Sequence, residues 1–125
     1  MSDAVPPLTI GLPVRNGARF LEAAIESTLA QTYRDFELVI SDNASTDETE
    51  GICRTYVRRD PRVRYLRNET NIGAAPNYNR LLRMSASPYF KWTAHDDVLA
   101  PTYLERCIEV LDHQPLVVVC HTETI

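Results

Sequence analysis

The chain has 125 residues, 44% hydrophobic and 24% charged, enough for one compact domain and too few for a second. A net charge of −4 excludes a surface built for nucleic acid, which needs a basic balance. Three scattered cysteines (Cys53, Cys107, Cys120) exclude a metal-type cluster, and no apolar run reaches membrane-span length.

In chain order, Leu8 to Val14 is a β-like run, with Pro13 better suited to its end than its middle. Phe20, Leu21, Ala24, Ile25, Thr28 and Leu29 then recur on one face of a first helix. Phe36 to Asp42 is a second strand centred on Leu38, Val39 and Ile40. Ser45-Thr46-Asp47-Glu48 has the form of a capping box and predicts a second helix from there to about Arg59. Asp60-Pro61 makes a turn before a third strand, Val63 to Leu66. Arg54, Arg58, Arg59, Arg62, Arg64 and Arg67, spread from this helix through the turn beyond it, read as a solvated face. Asn71-Ile72-Gly73 leads into a third helix, roughly Pro76 to Ser85, with Pro76 tolerable in its first turn. Tyr89 to Thr93 is a fourth strand, in which Trp92 reads as core. A fourth helix begins near Pro101 with the stripe Leu104, Cys107, Ile108 and Leu111. Leu116 to Cys120 is an unbroken apolar run, a fifth strand buried on both faces.

This alternation predicts an α/β, Rossmann-like three-layer sandwich over residues 1–125, its mostly parallel sheet ordered 3-2-1-4-5. Ligands of such sheets bind at the carboxyl ends of the strands. Polar residues cluster at four of those ends: Arg15, Asn16 and Gly17; Asp42, Asn43 and Ser45; Asn71 and Gly73; His95, Asp96 and Asp97. Turns need polar residues anyway, so the convergence of the clusters on one edge is the informative feature. Adjacent carboxylates at Asp96 and Asp97 repel one another, and Mn²⁺ or Mg²⁺ would offset that while gripping a diphosphate. The alternative reading makes Asp96 a turn residue and Asp97 a helix cap. No Walker loop, G-x-G-x-x-G fingerprint or G-x-S-x-G elbow is present.

Five segments in order carry a resemblance: Leu12 to Gly17, Leu29 to Leu38, Ser41 to Asp47, Asn71 to Gly73 and Ala94 to Asp97. Together they resemble family 2 glycosyltransferases, over nearly the whole chain. The resemblance implies a GT-A fold whose N-terminal half binds a nucleoside diphosphate sugar, a UDP-sugar foremost. It assigns Pro13, Arg15, Asp42 and Asn43 to the base and ribose. Asp96 and Asp97 correspond to the family's DXD motif, with Asp97 as ligand of Mn²⁺ or Mg²⁺ and Asp96 facing the ribose or sugar. The implied reaction is inverting transfer of a hexosyl group to a saccharide or lipid-linked acceptor.

Three departures stand out. Arg15 replaces the usual tyrosine, so a guanidinium is expected in place of a ring stacked on the base. Asn43 replaces an acid, and the arginine usual after the Asn-x-Gly segment is lost near Tyr78. The general base and the acceptor wall are expected beyond residue 125, with this length inactive alone. The odd, scattered set of cysteines suggests reduced thiols in a cytoplasmic protein, with the inner face of the membrane open to a longer form. Two other readings stay open: a nucleotide-binding or assembly module without catalysis, and a nucleotidyltransferase.

Overall fold

Burial along the whole of β1 (Leu8–Val14) makes it the strand around which the sheet is built. The structure, a computed structural model, describes residues 5–113. β1 pairs in parallel with β2 (Phe36–Asp42) on one side and β4 (Tyr89–Trp92) on the other, and β2 carries β3 (Val63–Arg67). The order is therefore β3-β2-β1-β4, as predicted for these four strands. The expected fifth strand, Leu116 to Cys120, lies outside the described residues.

Parallel strands need crossovers, and right-handed crossovers decide which face each helix covers. Moving outward from β1 to β3, α1 (Ala18–Leu29) and α2 (Thr49–Arg59) share one layer and touch each other. The return from β3 to β4 puts α3 (Ala74–Met84) over β1 and β2, and α4 (Tyr103–His113) follows β4. Ile10, Leu12, Leu38 and Ile40 of the sheet and Leu21 and Ile25 of α1 are fully buried, each contributing roughly 1.5–3 kcal/mol. Gly11 lets α3 approach: a Cβ there would lie 2.8 Å from Phe90 Cζ and 3.1 Å from Leu81 Cβ.

Pro13 is tolerated in a central strand because β4 pairs with β1 only as far as Gly11, so the missing N–H faces no partner strand. No helix among the described residues is long and apolar enough to cross a membrane.

Several sequence expectations are corrected. Ser45 does not open α2; its Oγ accepts a bond from the Asn16 N–H, and the helix starts at Thr49, whose N–H is held by Asp47 Oδ1 at 3.0 Å. The third helix begins at Ala74 and the fourth at Tyr103. Phe20 is 48% exposed and Trp92 is 40% exposed, so neither is core. Trp92 sits on β4 against the rim of α3, its indole N–H donating to Tyr78 O. The arginines are not one free face: Arg62 is bound to Asp60 at 2.9 Å and to the carbonyls of Leu29 and Arg34, and Arg67 turns inward to Asp42.

Candidate nucleotide site

The loops after all four strands meet at the carboxyl edge, and hydrogen bonds lace the first two together. Asn16 and Ala44 both adopt left-handed backbone, φ 52° and 59°. That bend aims the Asn16 N–H at Ser45 Oγ (2.8 Å) and the Thr46 N–H at Asn16 Oδ1 (2.7 Å). Arg15 Nη1 donates to the carbonyls of both Asn43 and Ala44, at 2.9 Å each. Its guanidinium is thus tied to the β2 turn through one edge, and the residue stays exposed.

Beneath this turn Asp42 is 0% exposed. Its Oδ1 accepts from the Ser45 N–H at 2.9 Å, and its Oδ2 accepts from the Tyr65 hydroxyl at 2.6 Å and from Arg67 Nη1 at 3.1 Å. Burial and the bond to Asp42 push the Tyr65 phenol well above its usual pKa. With both oxygens engaged and no exposed surface, Asp42 braces the loop and does not reach the cleft.

Asn43, 3% exposed, is similarly saturated. Its Nδ2 donates to Asn71 Oδ1 (2.8 Å) and Gly73 O (3.2 Å); its Oδ1 accepts from Asn68 Nδ2 (3.1 Å) and the Ile72 N–H (2.9 Å). An amide with two donors and two acceptor sites has no capacity left over. Asn77 continues the network: its Oδ1 accepts from Ser41 Oγ at 2.6 Å and from Asn68 Nδ2 at 3.0 Å, and Arg80 donates to Asn68 Oδ1. This chain of side chains fastens the β3–α3 loop to the end of β2.

Above it lies an open cleft of about 390 Å³ whose walls include Pro13, Arg15, Asn43, Asn71, Tyr78 and His95. Three predicted residues (Pro13, Arg15 and Asn43) therefore line one cavity. The His95 ring packs on Gly17, where a Cβ would come within 2.7 Å of His95 Cδ2. Asp96 and Asp97, next in the same loop, are exposed beside the cleft and do not line it. Asp97 Oδ2 accepts from the Ala94 N–H at 3.3 Å, closing a turn, and α4 starts six residues later, so Asp97 does not cap that helix. Lys91, the chain's single lysine, is pushed below its usual pKa by burial, with Asp97 opposing that shift. Another hollow, of about 430 Å³ between α1 and α2, lies away from the strand ends.

Among the described residues no group of three or more His, Cys, Asp or Glu gathers as a metal cage. Mg²⁺ and Mn²⁺ sites commonly use one or two carboxylates plus substrate phosphates, so the Asp96–Asp97 pair fits a cation that arrives with a diphosphate. Sequence reasoning missed Tyr65, Arg67, Asn68 and Asn77. Asn77 carried a signal: it lies four residues before buried Leu81, a polar residue on the inward face of a helix.

Comparison with known proteins gives a family. The sequence profile described as Glycosyl transferase family 2 matches residues 9–124. An uncharacterized glycosyltransferase of Rickettsia prowazekii is 37% identical over 123 residues, covering 96% of this chain and 37% of that protein. Chondroitin synthase of Escherichia coli is 32% identical over 105 residues, 84% of this chain and 15% of its own length. The chain thus spans well under half of these relatives. Among solved structures, S. aureus TarS 1-349 in complex with UDP-GlcNAc superposes with a TM-score of 0.80 at 22% identity, over 86% of this chain and 32% of that one, a likeness of fold. The mannosyltransferase PcManGT from Pyrobaculum calidifontis, in complex with GDP-Man and Mn2+, gives 0.68 at 25% identity, over 77% and 29%.

Proposed function

The chain belongs to glycosyl transferase family 2, and we propose that it carries the donor site of an inverting, metal-dependent glycosyltransferase. The donor is a UDP-sugar bearing a hexose, and the acceptor is a saccharide or a lipid-linked saccharide. The observation that carries this reading is the meeting of four strand-end loops around one cleft, with the exposed Asp96 and Asp97 directly following His95 of its wall. Pro13 and Arg15 form the floor and side for the nucleoside. Asn43 acts by ordering Asn71 and the loop to Gly73, since its own amide is consumed. Asp42 supports from below, a role distinct from contact with the nucleotide.

Asp97 would hold the cation, with Asp96 turned to the ribose or sugar. When bound, the cation neutralises charge on the departing diphosphate. The chain's own contribution is to fix the donor so that an acceptor hydroxyl can approach in line, a matter of several kcal/mol. A base must take that hydroxyl's proton. We assign the base and the acceptor wall to the longer part that the relatives possess and these 125 residues do not span.

A calorimetric panel of nucleoside diphosphates with and without Mn²⁺ tests the reading. UDP should bind, Mn²⁺ should tighten it, and Asp97→Ala should remove the Mn²⁺ effect with little change in melting temperature. Undiminished Mn²⁺-dependent binding by the variant would remove Asp97 from the site.

A further inference from the structure

The loop between β4 and α4 carries Asp96 and Asp97, yet after the Thr93 N–H bonds to Gly11 O (2.8 Å) it has no strand partner. Within itself it has only a closed turn, the Asp97 N–H on Ala94 O at 3.2 Å and the Ala94 N–H on Asp97 Oδ2 at 3.3 Å. Its attachment comes from α1 and the residues just after it. Ser27 Oγ accepts from the Leu99 N–H at 3.0 Å. Gln31 Nε2 donates to Ala100 O at 2.7 Å and to Ser27 O at 3.1 Å, while its Oε1 accepts from the Leu104 N–H at 3.0 Å. The Thr32 N–H adds a bond to Pro101 O at 2.9 Å.

Gln31 is 1% exposed, and a buried carboxamide is costly unless its polar atoms are paired. Here both amide hydrogens and the carbonyl are engaged, and two of the three bonds reach the segment beyond the aspartates. At the other end of α1 the N-cap is Gly17, against which His95 of the same loop packs. The two flanks of α1, Gly17 before it and Gln31 after it, together with Ser27 in its last turn, therefore hold the loop on both sides of Asp96 and Asp97.

We propose that Gln31, assisted by Ser27, is a positioning residue: it sets the place of Asp97, and through it the cation-dependent part of donor binding, without touching the donor. This rests on the donor-site reading given above. Partners hydrogen-bonded directly to a metal ligand are worth about 10- to 100-fold in metal affinity; Gln31 reaches Asp97 only through the loop, by way of Ala100 and Leu104, so the low end is expected. Gln31→Met keeps the volume and deletes every side-chain bond; Ser27→Ala is milder, removing the acceptor of the Leu99 N–H and the bond that Ser27 Oγ donates to Ala24 O.

UDP binding to both variants, with and without Mn²⁺, is one readout, and hydrogen exchange of the Leu99, Leu104 and Asp97 amides without nucleotide is the other. In Gln31→Met the tightening by Mn²⁺ should fall about tenfold, metal-free UDP affinity should stay within about twofold, and the Asp97 amide should exchange faster. A general loss of packing would weaken metal-free binding equally and would overturn the specific role. Unchanged exchange at Asp97 in Gln31→Met, or in Ser27→Ala should the first variant not fold, would also overturn it. If the wild-type chain showed no Mn²⁺ effect on UDP, the donor-site reading would fail instead, and the exchange experiment would still decide the role of Gln31.

Discussion

Replacing Asp42 by alanine separates a brace from a ligand. The change deletes the acceptor of the Ser45 N–H, the Tyr65 hydroxyl and Arg67 Nη1 together. Breaking a buried ion pair by removing one partner costs about 3–5 kcal/mol. Arg67 retains 34% side-chain exposure and can recover water, which moves the expectation to the lower end, about 3 kcal/mol. Asp42→Asn is gentler, about 1.5–3 kcal/mol. Its Oδ1 can keep the Ser45 N–H, and the phenol can rotate to accept, but Arg67 has only donors and meets an amide N–H₂. Urea denaturation followed by far-UV circular dichroism gives both values, with unchanged m confirming that the denatured state is not the cause. A loss below about 1 kcal/mol for Asp42→Ala, combined with abolished nucleotide binding, would refute the brace and make Asp42 a ligand again.

Ala44 holds φ 59°, a region that costs an L-residue about 1–2 kcal/mol and glycine little. Ala44→Gly should raise stability by up to about 1 kcal/mol, the rest offset by greater freedom of the unfolded chain; a lower urea midpoint would contradict the strain. Gly17→Ala should cost about 1–3 kcal/mol, because its Cβ would meet Val14 Cγ2 at 2.6 Å and His95 Cδ2 at 2.7 Å. Nuclear magnetic resonance should then show the His95 ring displaced, and an unmoved ring at full stability would count against the packing. Burial, and then the bond to Glu26 Oε1 at 2.6 Å, push the Tyr56 phenol up to about 12. Raised above its ordinary value of 10.0, this group stabilises the fold fully below pH 10.0, and the contribution fades as pH rises towards about 12. Tyr56→Phe should flatten the stability profile across that window, and an identical slope would show that another group sets it.

The sheet was legible because its signals are local. Leu8 to Val14 and Phe36 to Asp42 are apolar runs bounded by turn residues, and the handedness of crossovers then leaves little choice of order. The cleft was half legible. Clusters at strand ends mark which loops meet, so Arg15 and Asn43 could be named from sequence, and the family resemblance added Pro13. What each side chain does depends on register and on pairing across loops. Arg67 stands opposite Asp42 only because β3 pairs with β2 in that register, and so an arginine counted with a solvated face becomes the partner of a buried acid. The capping-box pattern at Ser45 misled for a related reason: the serine found a partner in Asn16, across the loop, in place of its own helix. Trp92 looked like core because strand centres usually are, whereas β4 ends two residues past Phe90 at the edge of the described sheet.

The most direct test of the donor site is a crystal structure of this chain with UDP and Mn²⁺. The uracil should lie in the cleft between Pro13, Arg15 and Asn71, and the diphosphate with its cation beside Asp97. Asp42 should still be bound to Tyr65 and Arg67. Nucleotide in the hollow between α1 and α2, or a diphosphate bound with Asp97 turned away from it, would contradict the donor site proposed for this chain.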